Sequence, residues 1–139
     1  MTAPYDFRRI TPGVYGKRRQ IEGEVVALLH VSFEERGLRL IETKSRAVRL
    51  NEIHELMITD EDAQPGGGGD RVRAIAFFEV KNPGLIVVGD KVSVGNKSLG
   101  VLAGYDETHM PNHMNILVKA PSLDEPEIRV GDRVRFKPS

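Results

Sequence analysis

Two histidines four residues apart, His109 and His113, lie in the segment Gly104–Asn115 (GYDETHMPNHMN) beside Tyr105, Asp106 and Glu107. That places two imidazoles, two carboxylates and a phenol within nine residues. On a helix, imidazoles at this spacing face one ion. With Asp106 or Glu107 they make a two-histidine, one-carboxylate set of the kind that holds zinc or iron(II). Pro111 between them spoils a regular helix, so a turn has to bring the two rings together. The same groups could work as acid and base without a metal, because an ordinary imidazole titrates at about 6.5. The plainer alternative is a polar loop whose side chains bond to their own backbone. The expected metal ligands are His109, His113 and Asp106, and the cofactor they imply is a divalent ion such as zinc or iron. The catalytic candidates are the same three with Glu107 and Tyr105.

The elements around this segment read as strands. From Gln20 the pattern has period two, with Ile21, Gly23, Val25, Ala27, Leu29 and Val31 on one face and Glu22, Glu24 and His30 on the other. Glu34-Glu35-Arg36-Gly37 supplies turn chemistry, and Leu38–Lys44 reads as the return strand of a hairpin. Residues 46–58 (RAVRLNEIHELMI) are ambiguous: Ile53, Leu56 and Met57 fit one helical face after an Asn51 cap, and a strand fits as well. Residues 60–70 (DEDAQPGGGGD) predict a mobile loop, because four successive glycines carry a high ordering entropy and no packing side chain. No GK[ST] follows, so this is not a Walker phosphate cradle.

Residues 71–80 alternate again, with Val72, Ala74, Ala76, Phe78 and Val80 on one side and Ile75 and Phe77 on the other. Short segments follow at Leu85–Val88, Lys91–Val94, Leu99–Ala103, Met114–Lys119 and Arg133–Phe136, separated or opened by Gly-Asp and Gly-Asn turns. The expected fold class is all-β, a small barrel-like domain of short antiparallel strands with at most one short helix. Val25, Leu29, Phe78, Val92, Val101, Ile116 and Val134 are the expected core. The expected organisation is an irregular basic arm over 1–19, read as a solvated edge, and a single β domain over 20–139. The histidine segment then lies on a loop between two strands, where binding groups commonly sit on a rigid scaffold. His30 and His54 stand alone and read as ordinary residues.

The chain has 139 residues, 20 basic and 20 acidic. A formal net charge of zero argues against bulk capture of nucleic acid or of an anionic membrane. With no cysteine, thiolate metal sites, iron–sulfur clusters and cysteine nucleophiles are excluded. Met1–Ile10 is polar, and no apolar run approaches the roughly 18 residues of a membrane span, so the expected address is cytoplasmic. Low net charge also opposes self-association weakly, and a homodimer is expected.

Residues 86–136, a little over a third of the chain, resemble the glucitol/sorbitol-specific enzyme IIA family of the phosphotransferase system. The likeness rests on Val88-Gly89-Asp90-Lys91-Val92 and Gly95, on Val101-Leu102-Ala103-Gly104, on His113–Leu117 and on Ile128–Val134. It implies a small β-barrel. The phosphorylated histidine of that family falls just upstream, where this chain reads AIAFFEVKNPG without one, so phosphoryl transfer is not implied. The whole chain also looks like a member of an uncharacterised bacterial family. Three readings follow: a small-molecule or metal-binding protein accessory to a metabolic pathway, a small enzyme built on His109 and His113, and an IIA-like interaction domain without phosphotransfer.

Overall fold

In a computed structural model the described residues are 17–139. Most of the expected basic arm therefore lies outside the described residues. Arg18, at its end, is no solvated edge. Its guanidinium grips Asp90 at 2.6 and 3.2 Å and donates to the Leu85 carbonyl at 3.0 Å, with side chains only 8% and 1% exposed. A buried ion pair of this kind is costly to break, since either charge left alone has no water.

Among the described residues eleven strands form: β1 (Ile21–Phe33), β2 (Leu38–Arg39), β3 (Ser45–Val48), β4 (Ile53–Thr59), β5 (Gly68–Gly69), β6 (Val72–Asn82), β7 (Gly84–Val87), β8 (Lys91–Val94), β9 (Lys97–Asp106), β10 (Asn115–Lys119) and β11 (Arg133–Lys137). The all-β expectation holds, with no helix among the described residues. Seven strands make one curled sheet in the order β1-β11-β8-β9-β10-β4-β6, whose ladder of pairings returns to β1. Two expected details are corrected. The sheet is mixed, because β10 runs parallel to β4 with Ile116 opposite Leu56. Nor are all strands short: β1, β6 and β9 have 13, 11 and 10 residues.

Phe78, Phe136, Leu56, Tyr105, Ile116 and Val134 fill the interior among other buried residues. The Phe78 and Phe136 rings lie 5.8 Å apart in a tilted pair, a geometry aromatic quadrupoles favour. A second apolar cluster, Leu38, Leu40, Met57, Val72, Ala74 and Leu117, lies apart from it. The 46–58 ambiguity resolves as two strands, β3 and β4. Leu56 belongs to the first cluster and Met57 to the second, both fully buried. A strand buried on both faces loses its polar alternation, and for that reason it mimics a helical face.

The expected β1–β2 hairpin does not form. β1 pairs with β6 and β11 instead, while β2 pairs with β5. Register shifts at Val25/Ala27 and Leu28/Val31 break the period of β1, leaving Leu29 half-buried and Val31 43% exposed. Val101 also departs from expectation, at 45% exposed. It follows Gly100, where an added Cβ would stand 2.0 Å from the Lys119 carbonyl oxygen. The close approach and the register shift there turn Val101 outward between buried Leu99 and Leu102.

The glycine segment is ordered into the fold. Gly68 and Gly69 pair with Arg39 and Leu38, and Gly69 is buried. The Gly66 and Gly67 amides hydrogen-bond at 3.1 and 2.9 Å, to Leu40 and Gln64 carbonyls. The sequence pattern carries no sign of this pairing, because glycine can pair through backbone alone.

Candidate functional site

Strand β9 runs on through Tyr105 and Asp106, so these two residues belong to the sheet rather than to a loop. Tyr105 is fully buried, with its hydroxyl 2.9 and 3.1 Å from the Lys44 and Ile86 carbonyl oxygens. Asp106 is 1% exposed. Its carboxylate accepts from the Arg39 amide at 2.8 Å, the Thr108 amide at 2.9 Å and the Asn115 side-chain amide at 3.4 Å. Burial pushes the Asp106 carboxyl up, but the Thr108 and Arg39 hydrogen bonds outweigh it and hold it below the ordinary range. Both residues therefore organise backbone. Glu107 is engaged by the Arg46 guanidinium at 3.1 Å.

The two histidines do come together. The His113 amide donates to the His109 carbonyl at 3.3 Å and the Asn112 amide to the same oxygen at 2.9 Å. This single turn stacks the imidazoles with centroids 5.0 Å apart and planes inclined by 29°. His113 also meets the Phe77 ring edge-on at 5.2 Å. The Asn112 side-chain amide donates to His113 Nδ1 at 2.9 Å, which assigns the ring proton to Nε2. That nitrogen is buried, and Glu55 Oε1 stands 3.4 Å from it without hydrogen-bond alignment.

His109 is exposed and turns Nε2 toward Arg36, 3.2 Å from its guanidinium. The same guanidinium carbon lies 5.5 Å from the centroid of the Phe33 ring, within cation–π range. Among the described residues no carboxylate comes within ion-pair distance of Arg36. Its position is set by backbone: the Arg36 amide donates to the Asp70 carbonyl at 3.1 Å and the Gly37 amide to Asp70 Oδ1 at 3.0 Å. Asp70 is itself held, since its amide and that of Arg71 donate to the Glu61 carboxylate at 3.0 and 3.1 Å. Those two bonds hold the Glu61 carboxyl below the usual range.

His54, read as ordinary in sequence, is a buried structural group at 4% exposure. Its Nδ1 accepts the Met114 amide at 3.0 Å, so Nε2 carries the proton toward Glu52 Oε1 at 3.2 Å. Burial pushes the His54 imidazole down, against the raising effect of Glu52. His30, also read as ordinary, is exposed and paired with Glu125.

The arrangement therefore joins His109 and His113 but not Asp106. Among the described residues no three histidine, aspartate or glutamate side chains converge so as to hold a metal ion. What the site presents is an exposed imidazole beside a guanidinium that, among the described residues, has no carboxylate within ion-pair distance. Arg36, Phe33, Glu55 and Phe77 were invisible as site residues in sequence, being 32 or more positions from the histidines along the chain. The long-range pairings of β2 with β5, of β4 with β10 and of β6 with β1 and β4 bring their elements into place.

The model of a family of unknown function, DUF6917, matches residues 15–137. The chain belongs to that family. No curated protein and no solved structure matches it. The comparisons give no support to the likeness of residues 86–136 to the glucitol/sorbitol-specific enzyme IIA family.

Proposed function

We propose that this protein is a small-molecule-binding module, accessory to metabolism, whose site on the 104–115 turn takes a small anion such as a carboxylate. The observation that carries this reading is the Arg36 guanidinium, fixed between the Phe33 ring and His109 Nε2 with no carboxylate partner among the described residues. A guanidinium offers five N–H donors in a planar fork that matches a carboxylate, and here one edge faces His109. With Nε2 accepting from Arg36, His109 carries its proton on Nδ1 and helps to fix the guanidinium in place. The ligand contacts are Arg36 and His109, with His113 supporting the stack.

The test is calorimetric titration of the protein with acetate, succinate and citrate at matched ionic strength. One of these should bind saturably, and Arg36→Ala should weaken it roughly tenfold or more, the scale of a lost charge-assisted pair. His109→Ala should remove the remaining selectivity at little cost in stability, since an exposed turn residue packs against little. Unchanged affinity in Arg36→Ala would discard the reading.

A second reading, acid–base catalysis at His113, is favoured by one observation, the Glu55 carboxylate 3.4 Å from its Nε2. It requires the stack to open, because that nitrogen is buried.

A further inference from the structure

The outward face of β11 carries three cations in alternation, Arg133, Arg135 and Lys137. The first two have acidic register partners on β1, Arg133 opposite Glu24 and Arg135 opposite Glu22. The third does not. Lys137 lies directly opposite Lys91 of β8, and Lys91 faces Val101 on its other side. Like charges opposed across a ladder destabilise a sheet unless a counter-charge stands near. The other like pair, Glu24 opposite Glu79, is compensated by Arg133 on one flank and by Lys81, 3.0 Å from Glu79. Among the described residues neither Lys91 nor Lys137 has a carboxylate within ion-pair distance.

The opposed lysines border a cleft of about 260 Å³ that also takes in Ser93, Asn96, Lys97 and Ser98. Ser93 and Ser98 are register partners, so their side chains share one face of the sheet. Lys97 is paired with Glu127, with side chains 59% and 90% exposed, and such a pair is readily exchanged for another anion. Ammonium, hydroxyl and amide donors thus border one depression, and among the described residues Lys97 alone of its three lysines has a carboxylate partner. A local rule broken without internal compensation is what a binding site looks like in a sheet that otherwise keeps it.

We propose that this cleft is a second site, separate from the Arg36–His109 site, and that it binds a compact phosphate-bearing small molecule. Lys91 and Lys137 supply the charge, and Ser93, Ser98 and Asn96 supply neutral donors to the phosphoryl oxygens. Three ammonium groups suit a dianion, which a lone carboxylate is not. The anion removes the repulsion that the ladder otherwise carries, so binding and fold stability are linked.

The test is a nuclear magnetic resonance titration with inorganic phosphate and with pyrophosphate, against sodium chloride at equal ionic strength. Amide signals of Lys91, Ser93, Ser98 and Lys137 should shift saturably with the phosphates and not with chloride. Lys91→Ala, Lys137→Ala should lower the affinity roughly tenfold or more. Lys137→Glu should melt higher than the parent in phosphate-free buffer, because it turns a repulsive pair into an attractive one. Phosphate should raise the melting temperature of the parent and leave that of Lys137→Glu unchanged. Cosedimentation with phosphatidylcholine vesicles containing phosphatidic acid separates the two sources of phosphate. Lysine-dependent pelleting assigns a lipid headgroup, and phosphate shifts without pelleting assign a soluble ligand. The proposal is overturned if no saturable shift appears at these residues, or if the double alanine variant binds as the parent does.

Discussion

Asp70 holds the turn that carries Arg36 from two of its oxygens, the carbonyl accepting the Arg36 amide at 3.1 Å and the carboxylate accepting the Gly37 amide at 3.0 Å. The glycine run thus ends on a residue that orients the candidate site. Replacing Asp70 by Ala should cost about 1 kcal/mol in stability, the net value of one hydrogen bond, and should broaden the Arg36 Nε–H signal. Asp70→Asn keeps an oxygen acceptor and should restore both. A sharp, unshifted Arg36 signal in Asp70→Ala would show that the turn needs no such support.

Changing Gly66–Gly69 to serines should destabilise the fold by more than about 1 kcal/mol, most of it at Gly66. That residue has φ of +83°, where any side chain is strained, and a Cβ there would stand 3.2 Å from Glu42 Cγ. Urea denaturation of the single and fourfold variants measures it. A neutral fourfold variant would mean that the β2–β5 clasp contributes nothing.

Phe78→Ala should cost about 3–5 kcal/mol, the usual range for a fully buried aromatic. Val101→Ala should cost little, since Val101 is 45% exposed. Equal losses at the two sites in chemical denaturation would contradict the facing assigned to β6 and β9.

His54 ties stability to pH. Burial holds its imidazole below the ordinary value of 6.5. The unfolded chain therefore takes up the proton first as pH falls. The contribution is fully present above about 6.5 and is lost progressively below it, toward the lower folded value. Denaturation midpoints from pH 8 to 5 should decline, and His54→Asn, which keeps an acceptor for the Met114 amide, should flatten the decline. An unchanged slope in that variant would assign the dependence to other groups.

Much of this fold is legible in the sequence, and the gaps have definite causes. Val72, Ala74, Ala76, Phe78 and Val80 are all buried, but Val72 and Ala74 join the second cluster while Ile75, Ala76, Phe78 and Val80 join the first, because a register shift against β4 interrupts the alternation. Gly89-Asp90 and Gly131-Asp132 mark the entries to β8 and β11. The spacing of His109 and His113 foretells their contact even across Pro111, because a single turn closes four residues as a helix does. Leu56 and Met57 mislead because both faces of β4 are covered. Asp106 misleads because a carboxylate near two histidines looks the same in sequence whether it binds an ion or three amides. Arg36 could not be found at all: its partner, His109, lies 73 residues away, and no local pattern records that contact.

The closure of the sheet through β1 and β11 has a consequence for the order in which the protein is assembled. Ile21 pairs with Phe136 and Glu24 with Arg133, so the second neighbour of the earliest strand is the last one. During synthesis β1 can gain β6 long before β11 exists, and until then its Ile21–Glu24 edge and that of β8 are free to bind other chains. Contacts so distant along the chain are also slow to form, since the loop entropy is lost before any contact compensates it. Aggregation of this chain should therefore be governed by how long that seam stays open on the ribosome, and a chaperone that covers extended edges should matter more to its yield than one that covers apolar cores.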